Sequence, residues 1–153
     1  MVRRLGIAQS LLNDPEILIL DEPTSGLDPR ERIRFRNMVS VLGRDRMVLL
    51  SSHIVADIEH VADQILLMEA GRVLKSGNLQ EVLKLVEGKV WECMAQPGQA
   101  QNLRRDFMVS GLRNVEDGRV CLRIVSEARP MEGAIPVLPT LEDVYLYGTG
   151  GER

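Results

Sequence analysis

Two adjacent carboxylates, Asp21 and Glu22, close the apolar run Ile17 to Leu20, and the loop Pro23-Thr24-Ser25-Gly26-Leu27-Asp28 follows them. A second apolar run, Met47 to Leu50, closes with Ser51, Ser52 and His53. Two acids emerging side by side repel each other unless a cation sits with them. Carboxylate oxygens combined with phosphate oxygens and retained waters are what Mg2+ prefers. In phosphoryl transfer one acid holds the cation or its waters, and a second group orients or deprotonates the attacking water. Asp21 and Glu22 fit those two parts. Taken alone, the pair also reads as solvated acids in a turn, and His53 as an ordinary strand-end histidine.

The elements around these residues are expected to bring them together. "EILIL" is a continuous apolar run that suits a strand buried on both faces. Asp28, Pro29 and Glu31 supply an N-cap, a first helical position and an acidic first turn for a helix with the stripe Ile33, Phe35, Met38, Val39 and Leu42, which Gly43 ends. "RMVLLSS" is a second strand. Strand, helix and strand form a crossover unit with parallel strands, so both strands end at one edge, where ligands of open parallel α/β sheets bind. A short helix with Ile54, Ile58 and Val61 inward, a third strand in "DQILLM", a return over Val73 to Ser76 and a helix capped by Asn78 and Glu81 complete this part.

From Gly88 the pattern shortens. "KVWECMA", a polar helix in "GQAQNLRRDF", and "LRNVEDGRVCLRIV" with a turn at Asp117 and Gly118 describe a small α+β unit. An irregular Pro/Gly-bearing stretch follows, and Thr140 and Asp143 cap a last short helix whose Val144, Tyr145 and Leu146 read as packing residues. At the other end, Met1, Leu5, Ala8, Leu11 and Leu12 form a helical stripe that is already running at residue one with no capping side chain before it.

Composition narrows the function classes. Hydrophobic residues make up 44% and charged residues 27% of the 153, which is the globular range. No apolar run approaches the roughly 20 residues that span a bilayer, and no secretion signal opens the chain. A net charge of −3 gives no footprint for nucleic acid. Cys93 and Cys121 lack metal-binding or disulfide spacing, and His53 with His60 has no third ligand nearby.

In their order, the residues "MVRRLGIAQSLLNDPEILILDEPTSGLDP" through "LLSSHI" resemble the nucleotide-binding subunit of ABC transporters, in which a Leu-Ser-Gly-Gly signature stands just before such a segment. The resemblance covers Met1 to about Val86. It implies that Asp21 is the Mg2+-coordinating acid, Glu22 the general base and His53 the switch histidine facing the γ-phosphate. Ser25, Gly26, Leu27 and Asp28 match the loop that meets a second nucleotide-binding subunit, as a homodimer or heterodimer. The ending "PTLEDVYLYGTG" is similar to the tail of ATPases serving ABC-2-type exporters. The implied fold is α/β: the C-terminal part of a P-loop NTPase parallel sheet with helices over 1–87, then a small α+β extension over 88–153. The implied cofactors are ATP and Mg2+, and the implied partner is a transmembrane permease subunit. The implied setting is cytoplasmic, peripheral on the cytoplasmic face of the membrane.

The pattern also departs from the family's. No GxxxxGK[ST] phosphate loop occurs, since the Gly88-Lys89 pair is followed by Val90. The expectation is a C-terminal portion whose N-terminal half is missing, inactive alone and driving export when completed; a non-enzymatic truncated product or a regulatory interaction fragment is the alternative. Ser25-Gly26-Leu27-Asp28, where ribosome-associated relatives read Asn-His-Leu-Asp, favours a transporter. A phosphatase with paired acids would need further acids at strand ends, whereas Asp57 and Asp63 fall within or after a helix.

Overall fold

The computed structural model describes residues 2–150, with no side-chain description before Leu5. The chain divides into two compact units, 1–62 and 63–153. Among the described residues no helix is long and apolar enough to cross a membrane.

In the first unit, α1 (Val2–Ser10) leads to β1 (Ile17–Asp21), α2 (Pro29–Leu42), β2 (Met47–Ser51) and α3 (Val55–Glu59). β1 and β2 pair in parallel, with Ile17 opposite Met47, Ile19 opposite Leu49 and Asp21 opposite Ser51. Leu18 and Leu20 are buried with Phe35 and Val39, and Ile7, Leu11, Met38, Leu42, Val48, Leu50 and Val61 pack around them. The cap of α2 is as the sequence requires: the Glu31 N–H donates to Asp28 Oδ1 at 2.9 Å, and Pro29 holds the first turn.

Three expectations about facing are corrected. β1 is buried on one face only. Successive side chains of a strand alternate between faces, and the helices cover just the Leu18/Leu20 side. Ile17, Ile19, Met47 and Leu49 therefore stand 58, 68, 66 and 51% exposed as two cross-strand pairs. On α1 and the turn that follows it the inward residues are Ile7 and Leu11, while Leu5, Ala8 and Leu12 face solvent. Met1, the first residue of the expected stripe, lies outside the described residues. On α2 Ile33 is exposed, because Phe35 and Val39 define the inward line.

In the second unit, β3 (Ile65–Glu69) and β4 (Arg72–Gly77) form an antiparallel hairpin, followed by α4 (Leu79–Leu83), whose capping box joins Asn78 and Glu81. β5 (Val90–Ala95), α5 (Pro97–Asp106), β6 (Met108–Asn114), β7 (Val120–Val125), the two-residue β8 (Ile135–Pro136) and α6 (Leu141–Thr149) complete it. β5 to β8 make a four-stranded antiparallel sheet in the order β6-β7-β5-β8, so the stretch read as irregular contributes an edge. The compact units part at 62/63 rather than at 87/88, where the sequence pattern changes. The reason is packing: a Cβ on Gly148 of α6 would meet the Leu67 and Leu74 side chains at 2.8 and 3.5 Å, so the hairpin closes tightly on the last helix. Cys93 and Cys121 are free and buried on neighbouring strands, and burial, then the Cys121 charge, pushes the Cys93 thiol up.

A buried acid holds this unit together. Asp143, fully buried, accepts from Arg123 Nε at 3.0 Å and Nη2 at 2.7 Å, from Ser110 Oγ at 2.6 Å and from the Thr140 N–H at 2.8 Å. Burial alone would raise its pKa, but Arg123 foremost, then Ser110 and Thr140, hold it below the ordinary carboxylate value. Because the folded value is lowered, the stabilisation is complete above the unfolded carboxylate pKa of about 4 and is lost as pH falls through the folded value. Asp143→Ala is expected to cost about 2–4 kcal/mol at neutral pH, since Arg123 and Ser110 lose their acceptor. The difference from wild type should shrink below about pH 4, as read by denaturant unfolding across pH. In the first unit, Ile19→Thr with Leu49→Thr should raise the concentration at which light scattering reports aggregation. Stability should change by no more than about 0.5 kcal/mol per site, because both side chains are already in solvent.

Candidate functional site

The parallel register places Asp21 and Ser51 opposite each other at the ends of β1 and β2, on the same face as the exposed apolar pairs. The chain then turns sharply. Glu22 takes a left-handed backbone, φ 45°, which costs a non-glycine residue roughly 1 kcal/mol or more unless its surroundings hold it there. They do: its N–H donates to Ser51 O at 3.1 Å and lies 3.2 Å from Ser51 Oγ. Ser51 Oγ in turn donates to Asp21 Oδ1.

Glu22 and His53 are joined twice. The His53 N–H donates to Glu22 Oε1 at 2.8 Å, and Nδ1 lies 2.7 Å from Oε2. The second contact holds the edge of the imidazole against the carboxylate. His53 is exposed, and the acids border an open hollow of about 300 Å³ that Gly6, Ser10 and Ile19 also line.

The structure thus brings Asp21, Glu22 and His53 together and adds Ser51, to which the sequence reading gave no part. The signal was present: a serine pair ends β2 at the register position where an acid pair ends β1. Ser25 to Asp28 form the turn leading into α2, with Ser25 N–H bound to Glu22 O at 3.3 Å and Leu27 N–H to Thr24 O at 3.1 Å. Gly26, at φ 77°, supplies the left-handed step of that turn. Asp28 is engaged as the N-cap of its own helix. Arg36 Nη1 reaches Ala56 O at 3.4 Å and buried Asp57 Oδ1 at 3.9 Å. His60 Nδ1 lies 2.9 Å from Ala56 O.

The donor set at the strand end is all hard oxygen, from Asp21, Glu22 and Ser51, which suits Mg2+. Among the described residues no group of three or more acidic, His or Cys side chains is placed to hold a metal. Mg2+ is commonly bound by one or two carboxylates plus phosphates and water, so the pair is fit to share such an ion rather than enclose it. The sequence contains no GxxxxGK[ST] stretch to surround a phosphate.

No protein-family model matches the chain. Several known proteins do. A Nod factor export ATP-binding protein I of Rhizobium johnstonii is 36% identical over 165 aligned residues, spanning 99% of this chain and 52% of that protein. A daunorubicin resistance ATP-binding protein of Streptomyces coeruleorubidus is 31% identical over 100% of this chain and 54% of its own length. An ABC transporter ATP-binding protein of Synechocystis is 41% identical over 67% of this chain and 29% of its own length. The chain spans about half the length, or less, of these relatives. Among solved structures, a bacterial Atm1-family ABC exporter with ATP bound has a TM-score of 0.49 and 28% identity over 54% of this chain and 14% of that one, too slight a likeness to support the fold assignment.

The local part played by Asp28 is separable from any part in catalysis. Asp28→Ala should lower stability by about 1 kcal/mol, with Asp28→Ser retaining most of it, because either oxygen can accept from the Glu31 N–H. Thermal unfolding of the two variants checks this.

Proposed function

The chain belongs to the ATP-binding proteins of ABC transporters, and from that membership we propose that its strand-end cluster is the Mg2+ and attacking-water side of an ATP-hydrolysing site that powers export. The observation that carries this reading is the joint placement of Asp21, Glu22, Ser51 and His53 at the common end of two parallel strands.

The residues divide the work. Asp21 would hold Mg2+, directly or through its waters, and the bound Mg-ATP supplies the phosphoryl group and a metal to neutralise its charge. Glu22 would accept a proton from the attacking water. His53, oriented through Nδ1 by Glu22, would present Nε2 toward the transferring group. The turn Ser25 to Asp28 would meet a second nucleotide-binding subunit, and a transmembrane permease would receive the resulting motion. The chain's place would then be peripheral, on the cytoplasmic face of the membrane.

The apolar pairs Ile17/Met47 and Ile19/Leu49 lead straight to Asp21 and Ser51 on one face. A polypeptide covering that face would arrive beside the acids, where a phosphate cradle is needed. Activity is therefore assigned to an assembly of this chain with such a polypeptide. The same exposed face supports a second reading, a regulatory fragment that pairs with a full-length subunit.

Assayed alone with Mg-ATP, the purified chain should show no turnover. Combined with a polypeptide carrying the phosphate loop, it should hydrolyse ATP, and Glu22→Gln should reduce the rate by about 10²- to 10⁴-fold while nucleotide binding persists. Equal rates for Glu22→Gln and the unaltered chain would remove the base assignment; turnover by the chain alone would remove the requirement for a second polypeptide.

A further inference from the structure

Ser51 is the residue through which the two strands exchange polar contacts. The Glu22 N–H points at its hydroxyl oxygen at 3.2 Å, and the hydroxyl proton is directed to Asp21 Oδ1. A serine hydroxyl has one proton and two acceptor directions. With an acceptor direction occupied by the Glu22 amide, the proton has a fixed aim. The result is a chain of donors, Glu22 N–H to Ser51 O–H to Asp21 Oδ1, that spans the β1 and β2 ends at their matched register.

Resting on the reading of this strand end as a Mg2+ site, we infer that Ser51 is a positioning residue for Asp21: its hydroxyl clamps Oδ1 so that Oδ2 is the oxygen turned to the cation. One effect follows from the geometry. The carboxylate plane is held by a bond from the neighbouring strand rather than left to rotate about χ2, which lowers the ordering cost of binding. Groups that bind and orient a metal's own ligand typically change affinity by 10- to 100-fold when removed.

The test is the affinity of the full 153-residue chain for Mn2+, a spin-visible substitute for Mg2+, followed by electron paramagnetic resonance in the unaltered chain and in Ser51→Ala, Ser51→Cys, Ser51→Thr and Asp21→Asn. Thermal unfolding of each variant separates loss of affinity from loss of fold. Ser51→Ala is expected to weaken Mn2+ binding by about 10-fold or more. Ser51→Thr, which keeps the hydroxyl, should restore it, and Ser51→Cys, nearly isosteric but a weak donor, should fall between and serves if the alanine variant does not fold. Glu22 amide hydrogen exchange should quicken in Ser51→Ala, because one acceptor of that N–H is gone. Unchanged Mn2+ affinity in folded Ser51→Ala or Ser51→Cys, with Asp21→Asn still abolishing binding, would overturn the inference and leave the cation site standing. Binding indifferent to Asp21→Asn, or absent from the unaltered chain, would overturn the cation site and the inference with it.

Discussion

The parallel pairing of β1 with β2 is the constraint on which the site depends. Its register sets Asp21 opposite Ser51, and from that one alignment the rest follows. The Glu22 amide meets Ser51, the backbone turns through a left-handed residue, and the Glu22 carboxylate reaches both the amide and the ring of His53. Shifting β2 by one residue would send Ser51 to the opposite face, exchange Leu50 for an exposed position and separate the carboxylate from the histidine. Burial of Leu18 and Leu20 against Phe35 and Val39 opposes such a slip, so the packing of the helices on one face keeps the chemistry in place on the other.

That arrangement has a cost in the same sheet. A two-stranded parallel sheet covered on one side leaves an apolar face in water, and here the face is continuous with the acids. The apolar residues and the charged end form one surface. The second unit is built differently. Its antiparallel sheet encloses a core around Cys93, Leu122, Ile124 and Ala134, and Asp143 joins two strands to the last helix through Arg123 and Ser110. One carboxylate serves there both as the acceptor for an arginine and as the reciprocal half of the α6 cap. A local sequence signal for a helix start is thereby also a tertiary contact.

Some of this architecture was legible because it is local. A cap needs an acceptor side chain a few residues from the amide it binds, so Asp28 before Pro29, Asn78 before Glu81 and Thr140 before Asp143 announced three helices. The crossover of β1, α2 and β2 was readable from the order of apolar runs and breakers, and the adjacency of Asp21 and Glu22 marked the strand end as a place to look for chemistry. Which side of an apolar strand is covered is not local. Ile17 and Leu18 look alike in a run of four aliphatics, and only the presence of helices on one face distinguishes an exposed side chain from a buried one. The same holds for α1, where helical spacing pointed to Leu5 and packing chose Ile7.

The sequence by itself determined the residue types at the site, the helix starts, and that two strands end at a common edge, because each depends on neighbours in the chain or on a short crossover. Tertiary structure alone decided that Ser51 bonds Asp21 across 30 residues and that Glu22 grips His53 across 31. Those contacts depend on strand register, which is the summed outcome of burying Leu18, Leu20, Phe35 and Val39 together. No stretch of sequence short enough to be read as a motif contains that sum.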